Sequence, residues 1–141
     1  MKTSARNQFF GTVKSIKAGA TNDTVEIALT DNQTLVATVT SESTKKLSLE
    51  ADREVITLIK ASSIILVSGV EKMHFSARNQ FAGTVARVQK GAVNTEVVVT
   101  VGENTMTAII TNDSAEHLAL AEGSTVTAIF KASSVILGCA I

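Results

Sequence analysis

The stretch Ser4-Ala5-Arg6-Asn7-Gln8-Phe9 decides how the chain is organised, because it returns unchanged as Ser76-Ala77-Arg78-Asn79-Gln80-Phe81. A second block, Lys60-Ala61-Ser62-Ser63, returns as Lys131-Ala132-Ser133-Ser134. Self-similarity at a fixed spacing is the signature of duplicated structural units. The sequence therefore contains two copies of one unit.

The repeat predicts two tandem domains in a chain of 141 residues, at 1–68 and 75–141, joined by a linker at 69–74. A chain of this length has room for two small domains. Apolar positions drift between the copies, as where Ile27 becomes Val99, whereas the repeated polar residues are unchanged. A hydrophobic core does not require those polar side chains, so their retention indicates a separate role.

Alternating apolar and polar residues predict strands along both repeats, and a change of period at Thr40 predicts a short helix. In the first repeat the predicted elements are strands at 8–16, 25–29 and 35–39, a helix at 40–47, and strands at 55–60 and 64–67. In the second repeat they are strands at 80–88, 96–101 and 106–111, a helix at 112–118, and strands at 125–131 and 134–138. This order is that of an OB-type barrel. We predict an all-β fold of two tandem OB-like barrels, each with five strands and a short helix between strands 3 and 4.

Charge and aromatic content argue against a nucleic-acid binder. Thirteen Lys and Arg balance thirteen Asp and Glu, so the formal net charge is zero. Binding through phosphates needs a basic excess or a basic face. The chain has five Phe and no Trp or Tyr, which leaves few platforms for stacking bases. An OB module that binds nucleic acid stays as a fold-level alternative.

The repeated residues also lack the groups that catalysis needs. His74 and His117 do not recur at equivalent positions, and Cys139 is the single cysteine. No cysteine-based zinc site or intrachain disulfide follows from one cysteine, and no glycine-rich phosphate loop follows a strand. Catalysis needs a base or a metal. We predict a protein that is not an enzyme, with no catalytic cofactor and no residues acting as direct ligands of a metal cation.

The polar residues that do repeat are hydrogen-bond donors, and the ionisable ones are cationic. A set of Arg, Lys, Ser and Thr suits an anion that stays unprotonated at neutral pH. Thr40 and Ser43 lie three residues apart at a predicted helix start, so they share one side, and Glu42 between them should point away. The second repeat has Thr111, Asp113 and Ser114 at the corresponding positions.

Each motif also has a purely structural interpretation. Thr-x-x-Ser is an ordinary helix N-cap, and Lys60 and Lys131 are explained as solvated charges at strand ends. The arginines are explained as surface residues, and Asn22 and Asn94 as turn residues that form Asx hydrogen bonds. Cys139 fits a small packing residue. The coincidence of three donor motifs in both repeats favours an anion site.

The location of the protein is predicted from what precedes the first strand. Residues 1–7 are mixed and polar, without the apolar stretch of a signal peptide. No apolar run approaches the roughly 20 residues that span a bilayer. We expect a cytoplasmic protein that does not associate with membranes.

Taken together, Ser-Ala-Arg-Asn-Gln-Phe, the Gly-Ala-x-Asn turns, Thr-x-x-Ser and Lys-Ala-Ser-Ser resemble the Mop-domain family, and the tandem arrangement resembles a di-Mop molbindin. The resemblance covers nearly the whole chain. It implies the OB-like fold, a cytoplasmic location and binding of molybdate, with tungstate as a second ligand. It also implies storage or homeostasis of the oxyanion, since no DNA-binding or ATPase segment is evident in this sequence.

The resemblance implies anion sites at the interfaces between domains. The matching residues in the first repeat are Ser4, Ala5 through its backbone, Arg6, Thr40, Ser43 and Lys60. Those in the second repeat are Ser76, Ala77, Arg78, Thr111, Ser114 and Lys131. It further implies a second class of site near a threefold axis, for which the candidates are Gly19, Ala20, Asn22, Gly91, Ala92 and Asn94.

The family's six-domain rings imply that a tandem chain forms a homotrimer. The partners predicted here are therefore the molybdate oxyanion and further copies of the chain. Three alternatives stay open beside storage: a molybdate-sensing accessory or regulatory subunit that acts through a protein partner, a nucleic-acid-binding module, and a purely structural trimer without a ligand.

Overall fold

The computed structural model describes all 141 residues and contains ten strands and two short helices. The first repeat contains β1 (Asn7–Lys17), β2 (Asn22–Ala28), β3 (Thr34–Thr40), α1 (Ser41–Lys46), β4 (Glu54–Ile59) and β5 (Ile65–Val67). The second contains β6 (Asn79–Lys90), β7 (Asn94–Val101), β8 (Asn104–Thr111), α2 (Asn112–His117), β9 (Thr125–Phe130) and β10 (Ile136–Gly138). The predicted all-β order, with a short helix between strands 3 and 4, is confirmed in both repeats.

The strands form two five-stranded antiparallel sheets, and the last strand of each repeat is exchanged between them. One sheet has the order β10-β4-β1-β2-β3, and the other has the order β5-β9-β6-β7-β8. Ile136 of β10 pairs with Leu58 of β4, and Ile65 of β5 pairs with Ile129 of β9. The five-strand count is as predicted, but the origin of the fifth strand is not.

Because of this exchange, the compact units of the structure differ from the repeats of the sequence. Unit 1 contains Met1–Ile59 and Lys131–Ile141, and unit 2 contains Lys60–Phe130. The division at 1–68 and 75–141 describes the duplication of the sequence. The compact units cross it, and each takes its fifth strand from the other copy.

Alternation of side chains across the strands builds the core of each unit. In unit 1 the side chains of Val25 and Ile27 on β2 and of Leu35 on β3 are fully buried. In unit 2, Val97 and Val99 on β7 are buried in the same way. The period of two that predicted these strands is therefore the period that fills the core.

One repeated glycine is required by close packing rather than by turn geometry. A Cβ on Gly11 would lie 2.5 Å from the Ala28 carbonyl oxygen and 2.7 Å from Cγ2 of Ile27. Gly83 meets the backbone of Thr100 in the same way. Both glycines precede an irregularity in the register of the long first strand. They let β2 and β7 approach the first strand of their unit closely at the point where that strand is irregular.

No helix of the protein is both long enough and apolar enough to cross a membrane.

Candidate functional site

The Thr-x-x-Ser motif forms the same helix cap in both units. The Ser43 N–H donates to Thr40 Oγ1 at 3.1 Å, and the Ser114 N–H donates to Thr111 Oγ1 at 3.1 Å. Each threonine hydroxyl lies 2.8 Å from the serine Oγ and donates to it. The structural interpretation as an N-cap is therefore correct. The threonine proton is used within the cap, whereas the serine keeps its own proton for a further acceptor.

The Lys-Ala-Ser-Ser segment of the first repeat lies with the helix start of the second repeat, inside unit 2. Lys60 is exposed and precedes the 3₁₀ turn Ala61–Ser63, which packs against β8. A groove of about 580 Å³ separates this segment from α2. Its lining contains Ser62, Ile64, Ile65, Leu66, Ile109, Ile110, Asp113, Ser114, His117 and Leu118.

This groove corrects one expectation about charge. The acidic residue inside the motif was expected to point away, yet Asp113 lines the groove beside Ser114. One carboxylate therefore lines a groove whose other side chains, apart from His117, are apolar or carry a hydroxyl. His117 lines the same groove, and the equivalent position in α1 is Lys46.

Unit 1 has the corresponding arrangement with the repeats reversed. Lys131 is exposed and precedes the 3₁₀ turn Ala132–Ser134. That turn packs against β3, the strand that ends at Thr40. Each unit therefore combines the lysine segment of one repeat with the helix start of the other. Assigning the site residues repeat by repeat does not place these two motifs together.

The Ser-Ala-Arg-Asn-Gln block divides into structural and exposed residues. Asn7 is fully buried, and its Nδ2 donates to the Ile59 carbonyl oxygen at 3.2 Å. Gln8 Nε2 donates to the Ala5 carbonyl oxygen at 3.0 Å, and Gln80 repeats this contact with Ala77 at 2.8 Å. These contacts explain why the amides are retained in both copies.

The remaining polar residues of the block lie at the surface. Ser4, Arg6, Ser76 and Arg78 are exposed. The Ala5 N–H, assigned to the anion by resemblance, donates instead to Thr3 Oγ1 at 3.0 Å. An anion that uses this N–H has to displace the Thr3 hydroxyl.

Within a unit, the arginine and the helix start are not neighbours. Asn7 pairs with Ile59 at the first end of β1, so Arg6 lies where β4 ends. Lys17, at the other end of β1, pairs with Thr24, and Thr40 pairs with Asn22. Arg6 and Thr40 therefore belong to opposite ends of the long first strand, and unit 2 repeats this separation.

The Gly-Ala-x-Asn turns are held by residues that the sequence did not single out. In unit 1 the Gly19 N–H donates to Asp23 Oδ1 at 3.2 Å, and the Ser41 hydroxyl donates to the same oxygen at 3.1 Å. In unit 2, Asn112 Nδ2 donates to the Gly91 carbonyl oxygen at 3.1 Å. The candidate asparagines, Asn22 and Asn94, are exposed.

The carboxyl group of Asp23 is held in its charged form. Hydrogen bonds from the Thr44 side chain and the Gly19 N–H lower the pKa of Asp23. Burial opposes this change, and Ser41 and the positive charge of Lys45 add to it. A carboxylate at a helix start also interacts favourably with the helix dipole.

The fold does not bring together the side chains that a metal-cation site needs. No group of three or more His, Cys, Asp or Glu side chains is placed to hold a metal ion. The repeated polar groups at the surface are instead arginine, lysine and hydroxyl side chains, which donate hydrogen bonds.

The geometry is that of a duplicated OB-like β protein that presents the same set of donors twice. The chain belongs to the TOBE-domain family, whose model matches residues 3–66 and again residues 76–137. The two matches coincide with the two copies of the repeat.

Curated relatives are similar to this chain over nearly all of its length. It is 45% identical over 138 residues to the molybdenum transport protein ModE of Herbaspirillum seropedicae, a match that covers 97% of this chain and 51% of that protein. It is 44% identical over 138 residues to the molybdenum-pterin-binding protein MopA of Rhodobacter capsulatus, covering 97% and 52% respectively. The chain spans about half the length of the curated relatives it matches.

A solved structure matches the chain from end to end. It is that of the cytoplasmic molybdate-binding protein ModG with molybdate bound. The two structures superpose with a TM-score of 0.95 at 40% sequence identity, covering 99% of this chain and 100% of the other.

Proposed function

We propose that this protein binds the molybdate dianion and does not catalyse a reaction. The observation that carries the proposal is the match to molybdate-bound ModG, which extends over both complete chains at a TM-score of 0.95. The repeated arginines, lysines and hydroxyls support it, because an oxyanion of this kind needs many donors and no acid–base group.

We assign different roles to the repeated donors. Arg6 and Arg78 offer a planar fork to the oxygens of the anion, and Lys60 and Lys131 supply point charges. The serine hydroxyls of the capped pairs, Ser43 and Ser114, supply neutral hydrogen bonds, and Thr40 and Thr111 hold these serines through the cap. The remaining candidates, Ser4, Ala5, Ser76 and Ala77, would act close to the arginines. The Gly-Ala-x-Asn turns stay a proposal for a second class of site.

We propose that tungstate binds as molybdate does, that the protein stores or buffers these anions in the cytoplasm, and that it forms a homotrimer. Ile65 and Ile136, on the short edge strands β5 and β10, support self-association, because their side chains are 61% and 62% exposed. Light scattering tests the assembly: the mass of three chains is expected, and the mass of one chain would contradict it.

Isothermal titration of the purified protein with sodium molybdate, sodium tungstate, sulfate and phosphate tests the ligand. We expect binding of molybdate and tungstate and much weaker binding of phosphate. Monohydrogen phosphate carries a proton that needs an acceptor, whereas the proposed site is composed mainly of donors. Displacement of molybdate by an equimolar amount of phosphate would contradict this selectivity. The protein concentration has to come from amino-acid analysis, because the chain has no Trp or Tyr.

A sensing role is the second candidate, and one observation favours it. The chain matches about half the length of relatives named as transcriptional regulators, including the dual regulator ModE of Escherichia coli at 33% identity. A sensing role requires a protein partner whose binding depends on molybdate. Affinity capture with and without molybdate separates the two roles: storage predicts no molybdate-dependent partner. A filter-binding assay at low salt covers the nucleic-acid alternative, for which we expect no retention.

A further inference from the structure

The two units use different hydrogen bonds to fasten the residue that precedes the Ser-Ala-Arg-Asn-Gln block. In unit 1 this residue is Thr3, and its Oγ1 accepts from the Ala5 N–H at 3.0 Å. The hydroxyl thereby holds its own segment against the block by occupying a backbone donor. Thr3 is exposed and Ala5 is half-buried, so solvent reaches this hydrogen bond. The Ala5 N–H is therefore a donor that a ligand can reach but that is already in use.

Unit 2 fastens the same segment without using the corresponding donor. Phe75 stands at the position of Thr3, and its side chain has no hydrogen-bond acceptor. Gln80 Nε2 donates instead to the Phe75 carbonyl oxygen at 3.0 Å, in addition to its bond with the Ala77 carbonyl oxygen at 2.8 Å. The connection between segment and block is kept, while the Ala77 N–H meets no hydroxyl from position 75. The fold therefore does not need the threonine hydroxyl at this point.

We propose that the Thr3 hydroxyl competes with the anion for the Ala5 N–H, and that unit 2 lacks this competitor. The inference rests on the proposed molybdate-binding function. Thr3 Oγ1 occupies the position that an oxygen of the anion would take to accept from this N–H in good geometry. A charged oxygen is a stronger acceptor than a hydroxyl. Thr3 therefore lowers the anion affinity of unit 1 without preventing binding.

Charges close to the two blocks differ as well, so the affinities of the two units are not a test by themselves. Lys2 precedes Thr3, whereas His74 precedes Phe75, and a lysine favours an anion in unit 1. The effect of the hydroxyl is isolated inside each unit by variants that differ in that group. Threonine and valine are similar in shape, and only threonine offers an acceptor to the N–H.

Four variants remove or introduce the hydroxyl. Thr3→Val removes it from unit 1, and Thr3→Ser is the control that keeps it. Phe75→Thr introduces it in unit 2, and Phe75→Val is the control that loses the ring equally. Each isotopically labelled protein is titrated with sodium molybdate while the amide resonances of Ala5 and Ala77 are followed by NMR, so that each unit reports its own midpoint. Melting temperatures check that every variant is folded.

We expect Thr3→Val to lower the molybdate concentration at the Ala5 midpoint by about two- to fivefold, because one neutral hydrogen bond no longer has to be broken. Thr3→Ser should keep the midpoint of the unmodified protein. Phe75→Thr should raise the Ala77 midpoint by a similar factor relative to Phe75→Val, and the Ala5 midpoint should be the same in these two variants. A merely structural role of Thr3 predicts the opposite sign for Thr3→Val, since a loosened segment has to be ordered on binding.

A higher Ala5 midpoint in Thr3→Val would overturn the inference, because it would show that the hydroxyl helps to hold the anion. An unchanged midpoint would overturn it too, as would molybdate binding that leaves the Ala5 resonance where it was. These results would leave the proposed function standing. If equilibrium dialysis of the unmodified protein finds no bound molybdenum at any molybdate concentration, the proposed function fails, and the inference with it.

Discussion

Units 1 and 2 have the same fold but different sequences, so a comparison of the two shows which residues the fold requires. Both keep the close-packed glycine, Gly11 or Gly83, and both keep the threonine cap of the short helix. Elsewhere they diverge: the exposed Phe10 of unit 1 corresponds to Ala82 in unit 2. Features present in both units are structural necessities or shared functional groups, whereas the others are local alternatives.

The clearest divergence is at the end of the exchanged strand in unit 1. Arg53 Nη2 donates to the Ala140 carbonyl oxygen at 2.8 Å and to Cys139 Sγ at 3.3 Å, and Cys139 Sγ lies 3.4 Å from the Leu47 carbonyl oxygen. Unit 2 has Ser124 at the position of Arg53, where its hydroxyl accepts from the Ala121 N–H. Only unit 1 therefore ties down the residues after its exchanged strand with a charged side chain.

The largest expected effect comes from replacing the close-packed glycine that both units share. Gly11→Ala and Gly83→Ala each push a Cβ into the backbone of the adjacent strand, so each should destabilise the protein by about 3 kcal/mol or more. Urea unfolding measures the loss. Thr12→Val, an exposed change on the same strand, is the control and should stay within about 0.5 kcal/mol. A stable Gly11→Ala protein would show that β1 and β2 tolerate a wider spacing at this point of the sheet.

The next effect concerns the charged tie of unit 1. Arg53→Ser installs the residue of unit 2 and removes the hydrogen bonds to Ala140 and Cys139, at a cost of about 1–3 kcal/mol. Backbone amide hydrogen exchange should become faster only in β10 and in the strand paired with it, β4. Ser124→Ala is the matched change in unit 2 and should cost less, because only one neutral contact is lost. Equal losses in the two variants would contradict the asymmetry.

The stability of the protein in acid tests the Asp23–Ser41 pair of unit 1, whose counterpart in unit 2 is the neutral Thr95–Asn112 pair. The pKa of Asp23 is lowered in the folded protein, so its contribution to stability is complete above the unfolded value and is lost as the pH falls through the folded value. Below about pH 4 the unmodified protein should therefore lose more stability than the variant with Asp23→Thr and Ser41→Asn. Melting temperatures from pH 2 to 6 measure the difference. Parallel curves for the two proteins would show that Asp23 titrates without coupling to folding.

The smallest expected effect is at the exposed ring of unit 1. Phe10 is 76% exposed, so Phe10→Ala, which installs the residue of unit 2, should change the free energy of unfolding of a dilute sample by less than about 0.5 kcal/mol. Denaturant unfolding at low and high protein concentration checks this. A loss that grows with concentration would show that the ring is covered by another copy.

Much of the fold was predictable because local patterns specify it. Alternation at Val25, Ile27 and Leu35 predicts the strands, and the cap at Thr40 predicts the helix, since each depends on neighbours in sequence. The exchange of β5 and β10 was not predictable. Both are three-residue strands with the same Ile-Leu core, so nothing in their sequence selects one sheet over the other.

The sequence predicts which residue types belong to the candidate site, but it does not predict which of these residues lie together in one unit. The repeat identifies the lysine motifs and helix starts, but their pairing across repeats follows from the strand exchange. Asn7 was retained in both copies for a structural reason, a buried amide bonded to the Ile59 carbonyl oxygen. Asp23 and Thr95 were missed because they differ between the copies. Buried polar residues at equivalent positions of a repeat are the signal that could have found them.

The central claim is that the donors repeated in both copies bind molybdate. Its most direct test is bound molybdenum per chain, measured by equilibrium dialysis and elemental analysis on Arg6→Ala, Arg78→Ala and the double variant, with light scattering and melting to confirm that assembly and folding are unchanged. Each single variant should lose a fraction of the capacity, and the double variant should lose all the sites that use these arginines, because a charged donor to the anion is removed from each. A folded double variant that keeps the full capacity of the unmodified protein would show that both arginines are ordinary surface residues and would contradict the assignment.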